Sequence, residues 1–136
     1  MRYTFKAHER LKREQHIDTL FHKGKAFSVF PLKFIHITAP LFVGGAPVQV
    51  GFSVPKKKFR HSVDRHRIVR LMREAWRLHK HLLYEALPME KQLHVFLIFT
   101  NKDAPDYETV KGSVVKGMQK LIELYTVNVK EGEGHE

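Results

Sequence analysis

Ten histidines and 14 acidic residues give this 136-residue chain groups that could bind a metal ion or move a proton. A protein that hydrolyses phosphodiester bonds by itself usually gathers carboxylates or histidines around metal ions that orient water. The chain has no HExxH pattern, and His79 and His81 are two residues apart on a predicted helix, so they point to different faces. Asp103, Asp106 and Glu108 lie in a loop and a helix start, where N-capping explains them. We therefore expect no catalytic residue and no protein metal site.

Cationic side chains are concentrated in one stretch, residues 56–81. The chain carries 24 Lys and Arg, a net charge of +10, yet Glu74 is the only acid between Arg65 and Tyr84. The ion pairs that would explain an ordinary solvated helix are therefore nearly absent. Arginine predominates there, and its planar guanidinium suits bidentate contacts to phosphate. A solvated charged face is the alternative, but the pattern favours a surface that binds nucleic acid.

RNA fits this surface better than DNA does. Reading a DNA major groove uses Asn or Gln beside arginine, and neither type occurs on the basic helix. A-form RNA instead offers shape and backbone to a rigid basic element. Four phenylalanines in the first helix and strand could stack on unpaired bases, although phenylalanine at such spacing is more often part of a core. They are Phe21, Phe27, Phe30 and Phe34.

A helix and two stretches of strand are predicted before the basic stretch. Arg13–Lys23 places apolar residues at helical spacing. Ala26–Thr38 is β-branched and aromatic, and Pro31 within it indicates an edge strand or a break between two short pieces. The turn segment LFVGGAP then leads to Val48–Val54, where apolar residues alternate with a strict period of two.

The basic stretch itself is predicted to form a long amphipathic helix over Ser62–Tyr84, with Ser62 or Asp64 as its N-cap. Its apolar face is predicted to carry Ile68, Leu71, Met72, Ala75, Leu78 and Leu82. Its charged face is predicted to carry His66, Arg70, Arg73, Arg77, Lys80 and His81.

The last third of the chain predicts a strand and a helix. Leu93–Thr100 is a continuous apolar run, as in a strand buried on both faces, and Asp106–Tyr125 has a helical apolar stripe. Residues 127–136 show no periodicity and are predicted to be a disordered tail, which leaves one domain over residues 1–126. The element order indicates a small α+β domain with a strand, helix, strand unit at its centre, and the default hand of that crossover is right.

The cellular setting is inferred from what the chain lacks. It has no cysteine, no run approaching eighteen apolar residues and no signal-peptide pattern behind its basic N-terminus. We expect a cytoplasmic protein with no membrane association.

Four segments over about residues 9–125 form a recognisable series, namely RLKREQHIDTLFHKGKAFS, GFSVPKKKFRHSVDRHRIVRLMREAWR, VFLIF and the closing helix. In their motifs and their order they resemble the protein subunit of bacterial ribonuclease P. In that family a strand of the type G-[LF]-S-V-x-K-K leads into a helix with R-N-R and further basic residues. The resemblance implies a four-stranded sheet packed with three helices, similar to the second domain of ribosomal protein S5, with a left-handed βαβ crossover.

The resemblance also implies two RNA-binding surfaces. The basic turn and helix would contact the catalytic RNA through Lys56, Lys57, Arg60, Arg65, His66, Arg67, Arg70, Arg73 and Arg77. A cleft between the first helix and the sheet would take the single-stranded 5′ leader of precursor tRNA, with Ile17, Phe21, Phe34 and His36 as candidates.

Three positions depart from the family pattern. The motif asparagine is His66, and Val69 stands where a lysine is common. The turn KFRHSV is about one residue longer than the common pattern and lacks its Gly-Asn pair. We expect the RNA contacts of this chain to differ from those of its relatives at these positions.

The implied reaction is hydrolysis of one phosphodiester bond, with Mg²⁺ held mainly by the RNA subunit and the substrate. The implied partners are the catalytic RNA and precursor tRNA, with no obligate protein partner. A structural RNA-binding protein of ribosomal type is the alternative, and a protein-only metal nuclease is a more distant one.

Overall fold

The computed structural model describes residues 5–40, 46–87 and 91–134, with side chains through residue 126. In chain order its elements are a 3-10 turn (Ala7–Glu9), α1 (Glu14–Lys23), β1 (Lys25–Val29), β2 (Leu32–Pro40), β3 (Val48–Ser53), α2 (Ser62–Ala86), β4 (Lys91–Phe99) and α3 (Tyr107–Gly134). The predicted α+β domain with a four-stranded sheet is confirmed. The 3-10 turn was not predicted.

The four strands lie in the order β1-β2-β4-β3. β2 pairs antiparallel with β1 and β4, whereas β3 runs parallel to β4, so α2 is the crossover between two parallel neighbours. The predicted break at Pro31 is confirmed, because β1 and β2 are joined by a tight turn that contains the cis peptide bond Phe30-Pro31. The left-handed sense of the crossover stays a prediction from the resemblance.

One face of the sheet carries the main core, against α2 and α3. Strand residues of this face alternate with period two, and the predicted alternation in β3 is confirmed by the burial of Val48 and Val50. Burial of each such side chain away from water contributes roughly 1.5–3 kcal/mol to the stability of the fold. The helices add Ile68, Met72, Ala75, Trp76, Leu83, Val110, Val114, Met118 and Leu121 to this core.

α1 lies on the opposite face, where a smaller cluster forms around Leu11, Leu20 and Ile35. Since α1 has only 10 residues, it covers part of a sheet four strands wide. Ile17, Ile37, Phe96 and Ile98 pack against the edge of this cluster and stay partly exposed.

Two side chains of α2 lie where helical periodicity did not place them. Lys80, predicted on the charged face, is only 6% exposed, and Leu82, predicted on the apolar face, is 40% exposed. Both predictions were wrong. Lys80 is buried because Glu9 of the N-terminal segment forms an ion pair with it, whereas nothing in the structure explains the exposure of Leu82. Trp76 and Leu83 fill the core instead.

The helix ends follow partly different rules from those predicted. Neither Ser62 nor Asp64 caps α2, because the helix begins at Ser62 and places His61 at the cap position, without a side-chain capping bond. The predicted cap of α3 is confirmed, since the backbone N–H of Thr109 donates to Asp106 Oδ1 over 2.8 Å.

Two predictions lie at the margins of the described chain. Most of the predicted LFVGGAP turn falls outside the described residues, as does the end of the predicted tail. Disorder over residues 127–136 stays a prediction. None of the helices in the described ranges is both long and apolar enough to cross a bilayer.

Candidate nucleic-acid interface

The turn after β3 and the outer side of α2 form one continuous cationic surface, here called the basic surface. Its predicted members Lys56, Lys57, Arg60, His66, Arg67 and Arg70 are exposed, and Arg65, Arg73 and Arg77 are half-buried. The turn is fixed because the carbonyl of Pro55 accepts from the N–H groups of Lys58 and Phe59, at 3.2 and 3.4 Å. Phe59 is buried against Phe99, so the lysines project from a rigid base.

Arg65 ties this turn to the start of α2. Its Nη1 donates to the carbonyl oxygens of Phe59, at 2.7 Å, and Arg60, at 2.8 Å. Arg65 therefore stabilises the turn in addition to contributing a positive charge to the basic surface. Arg67 has no such bond within the described residues and is exposed, so its guanidinium is available to a ligand.

Glu74 neutralises part of the basic surface. Its carboxylate accepts from Arg77 Nη2 at 2.5 Å and from Nε at 3.1 Å. The hydrogen bond from Arg77 lowers the pKa of Glu74, so the pair stays ionised. Because this pair lies near the C-terminal end of the basic surface, the excess charge is concentrated toward the turn and the start of α2.

The four residues predicted for the leader cleft lie on two different faces of the sheet. Phe34 is fully buried and stacks on Phe27, with ring centroids 5.0 Å apart. His36 is 4% exposed, and its Nδ1 lies 2.5 Å from the hydroxyl of Tyr125 in a hydrogen bond. Phe34 and His36 therefore point toward α3, as the even-numbered residues of β2 do. Contact of these two residues with the leader stays a prediction.

Ile17 and Phe21 lie on the α1 side of the sheet, on a surface here called the open face, together with Ile37, Phe96 and Ile98. Their contact with the leader stays a prediction. Phe21 is 47% exposed and contacts Phe96 edge to face, with centroids 5.2 Å apart. A Cβ at Gly51 would meet the Phe96 ring at 2.6 Å, so the glycine lets this ring lie over β3.

Phe96 and Ile98 were missed because β4 was interpreted as buried on both faces. A short α1 against a wide sheet is the signal that could have identified them, since such a helix cannot cover four strands.

One end of the open face is lined by two histidines. The rings of His16 on α1 and His94 on β4 lie 4.9 Å apart. Because Gln92 Nε2 donates to the carbonyl of Ala46, Gln92 Oε1 is the acceptor for His94 Nε2, at 2.7 Å. Burial, with a smaller contribution from His16, lowers the pKa of His94 to about 4. His94 is therefore a neutral structural donor at pH 7.

Among the described residues, no three or more His, Cys, Asp or Glu side chains are grouped so that they could hold a metal ion. The chemistry that the two surfaces can offer is phosphate binding by exposed guanidinium and ammonium groups, and base stacking by partly exposed aromatic rings.

Comparison with known sequences identifies the family. The family model Ribonuclease P matches residues 5–122. The ribonuclease P protein component of Porphyromonas gingivalis strain W83 is 37% identical over 120 residues, which covers 83% of this chain and 82% of the relative. The ribonuclease P protein component of Chlorobium phaeobacteroides is 34% identical over 128 residues, which covers 87% of this chain and 88% of the relative.

Solved structures of similar fold agree with this assignment. The RNase P protein of Thermotoga maritima matches with a TM-score of 0.64 at 20% identity, over 82% of this chain and 96% of that protein. The RNase P protein of Staphylococcus aureus matches with a TM-score of 0.59 at 18% identity, over 86% of this chain and 97% of that protein. Since these identities support the fold alone, the sequence matches carry the assignment: the chain belongs to the ribonuclease P protein family.

Proposed function

We propose that this protein is the RNA-binding subunit of a ribonuclease P ribonucleoprotein and assists removal of the 5′ leader from precursor tRNA. The observation that carries the proposal is the basic surface, a rigid set of exposed cations in a chain of this family. In this proposal the basic surface binds the catalytic RNA subunit and the open face binds the leader.

Binding of the RNA subunit would use phosphate contacts along the turn and α2. Phe59 and Arg65 hold the turn, so the cations lose little conformational freedom when they bind. Each contact releases counterions from the RNA. Five to eight contacts would give a log–log salt slope of roughly −4 to −7.

Binding of the leader would use the open face, where unpaired bases can stack on Phe21 and Phe96. One end of this face meets further cations. Lys33 is exposed and lies opposite Ile98 in the strand register, and the Lys58 ammonium donates to the carbonyl of Thr100, just after β4. A single strand could therefore pass from the basic turn onto the open face with its phosphates still paired to cations.

Catalysis in this proposal belongs to the RNA subunit, with Mg²⁺ held mainly by that RNA and the substrate. The protein supplies cations that reduce repulsion between phosphates, which lowers the magnesium concentration that the particle needs. The particle would work in the cytoplasm without an obligate protein partner. The comparisons do not favour the alternative of a ribosomal structural protein.

The proposal is tested by measuring affinity for the cognate RNA subunit over a range of potassium chloride concentrations. We expect tight binding with a steep salt dependence and a clear preference over ribosomal RNA of equal length. Arg67→Ala should weaken binding, whereas Lys116→Ala, which removes an exposed cation of α3, should not. Equal affinity for both RNAs, with retention on ribosomal subunits after a salt wash, would favour the ribosomal alternative.

A further inference from the structure

A pocket of about 310 Å³ lies between the N-terminal segment, β3 and α2. Three cations from two of these elements line it, Arg10 and Lys12 from the N-terminal segment and Arg73 from α2. Val50 and Phe52 are among the apolar residues of its wall, and none of the described residues that line it is acidic. Such a lining favours an anionic ligand.

The cations of this pocket are unpaired within the described part of the chain. Arg73 Nε is buried and has no hydrogen-bond partner there. The guanidinium of Arg10 lies 5.7 Å from the centroid of the Phe5 ring, and no carboxylate of the described residues pairs with Arg10, Lys12 or Arg73. A buried donor of a charged group without a partner costs free energy that an anion would recover.

The N-terminal segment is held in place before any ligand binds. The Leu11 N–H donates to the carbonyl of Val50 over 3.0 Å, and Gln49 Nε2 donates to the carbonyl of His8 over 3.0 Å. Because Leu11 is buried and bonded to β3, the cations on either side of it are fixed beside the strand.

Glu9 does not neutralise the pocket, although it is next to Arg10 in the chain. Its carboxylate accepts from the Lys80 ammonium and, over 2.9 Å, from the Tyr84 hydroxyl. Glu9 is 5% exposed, so its charge is used to bind the segment to α2. The three pocket cations keep their net positive charge.

We propose that this pocket binds one phosphoryl group, whose oxygens accept hydrogen bonds from Arg10, Lys12 and Arg73. The source we favour is the backbone of RNA, because the exposed Arg70 of the basic surface is only three residues from Arg73 on α2. The choice of RNA rests on the proposed function, whereas the affinity of the pocket for phosphate does not. The N-terminal segment thereby becomes a third element of the RNA interface, which sequence analysis did not identify.

The first experiment titrates the ¹⁵N-labelled protein with inorganic phosphate at constant ionic strength and follows backbone amide shifts by NMR. We expect the shifts to concentrate on residues 10–12, 50–52 and 69–73. The double variant Arg10→Gln/Lys12→Gln, which changes two exposed side chains, should weaken phosphate binding on the order of tenfold. Lys116→Gln on α3 is the matched control and should bind as the wild type does. Shifts spread over the whole basic surface, equal in all three proteins, would overturn the proposal.

The second experiment measures affinity of the same proteins for the cognate RNA subunit. We expect the double variant to bind on the order of tenfold more weakly than Lys116→Gln, with a salt slope reduced by about 1 to 2. If the double variant lost phosphate binding but bound RNA as tightly as the control, the RNA source would be wrong and free phosphate would be the ligand. If the wild type bound phosphate in the pocket but no RNA, the proposed function would fail while the pocket remained.

Discussion

The ring of Phe34 in β2 lies directly against Gly117 of α3. A Cβ placed on Gly117 would sit 2.1 Å from Phe34 Cζ, far closer than two carbon atoms can approach. Phe34 therefore packs through the position of a missing side chain and belongs to the core. The same contact sets how closely α3 approaches β2, and with it the position of Tyr125 beside His36.

Gly117→Ala should destabilise the fold. The added methyl group must displace the buried Phe34 ring, and overpacking of this kind costs about 1–3 kcal/mol. Gly112→Ala is the matched control, because, apart from its own chain neighbours and the adjacent helix backbone, no described residue has an atom within 4 Å of its added Cβ. Alanine favours a helix over glycine by up to about 1 kcal/mol, so the control should be neutral or stabilising. Chemical unfolding of both variants measures the difference, and equal stability would contradict the Phe34 packing.

Glu9→Gln should destabilise the protein far more than Glu74→Gln. Removing the Glu9 charge leaves the Lys80 ammonium buried without its carboxylate, which costs about 3–5 kcal/mol in comparable pairs. The Glu74–Arg77 pair lies at the surface, where solvent screens the attraction and such pairs contribute little to stability. Thermal unfolding tests this ranking. A similar decrease of the unfolding temperature in the two variants would mean that the N-terminal segment is not bound to α2 through Glu9.

Stability should decrease as the pH falls from about 6.5 toward 4. The folded-state pKa of His94 is about 4, below the ordinary value of 6.5, so in this window the unfolded chain binds a proton that the folded chain does not. His94 thus contributes stability that is complete above pH 6.5 and is lost toward pH 4. Burial also lowers the pKa of His36, which adds a contribution of the same sign.

Unfolding free energies at several pH values test this expectation. His94→Gln should flatten the dependence and leave the part due to His36, whereas the exposed His66→Gln should keep the wild-type dependence. An unchanged slope in His94→Gln would contradict the assignment.

Phe21→Ala and Arg67→Ala should separate the two proposed surfaces. Loss of a stacking ring on the open face should reduce the preference for precursor over mature tRNA by about 1–3 kcal/mol, with little effect on assembly with the RNA subunit. Arg67→Ala should weaken assembly with the RNA subunit and have little effect on the preference for precursor over mature tRNA. Leu82→Ala is the control for Phe21, because it removes a similarly exposed apolar side chain from α2. Binding assays with both RNAs decide the outcome, and a Phe21→Ala protein that loses its fold would assign Phe21 to the core.

The helices and strands could be predicted because their signals are local. Period two identified β3, helical spacing identified α1, α2 and α3, and Pro31 marked the turn between β1 and β2. The basic surface could also be predicted, since a run of cations with only two acidic residues, Asp64 and Glu74, is visible in the chain itself.

The faces of β2 could not be predicted from the same signals. Phe34 and Ile35 are both apolar, so alternation does not say which of them faces α1, and the answer depends on the register with β4 and on where α3 packs. The burial of Lys80 depends on Glu9, which is 71 positions away in the chain. The pocket beside Arg73 could not be predicted for the same reason, because the N-terminal segment that carries Glu9 forms one wall of it.

Stimulation of precursor tRNA cleavage by this protein tests the central claim most directly. Purified protein, its cognate RNA subunit and precursor tRNA are combined at a magnesium concentration where the RNA alone cleaves slowly. We expect the protein to accelerate release of the 5′ leader. The Arg67→Ala protein, used in place of the wild type, should give the same acceleration only at a higher protein concentration. No acceleration by the folded wild-type protein, or cleavage by the protein without the RNA subunit, would contradict the proposal.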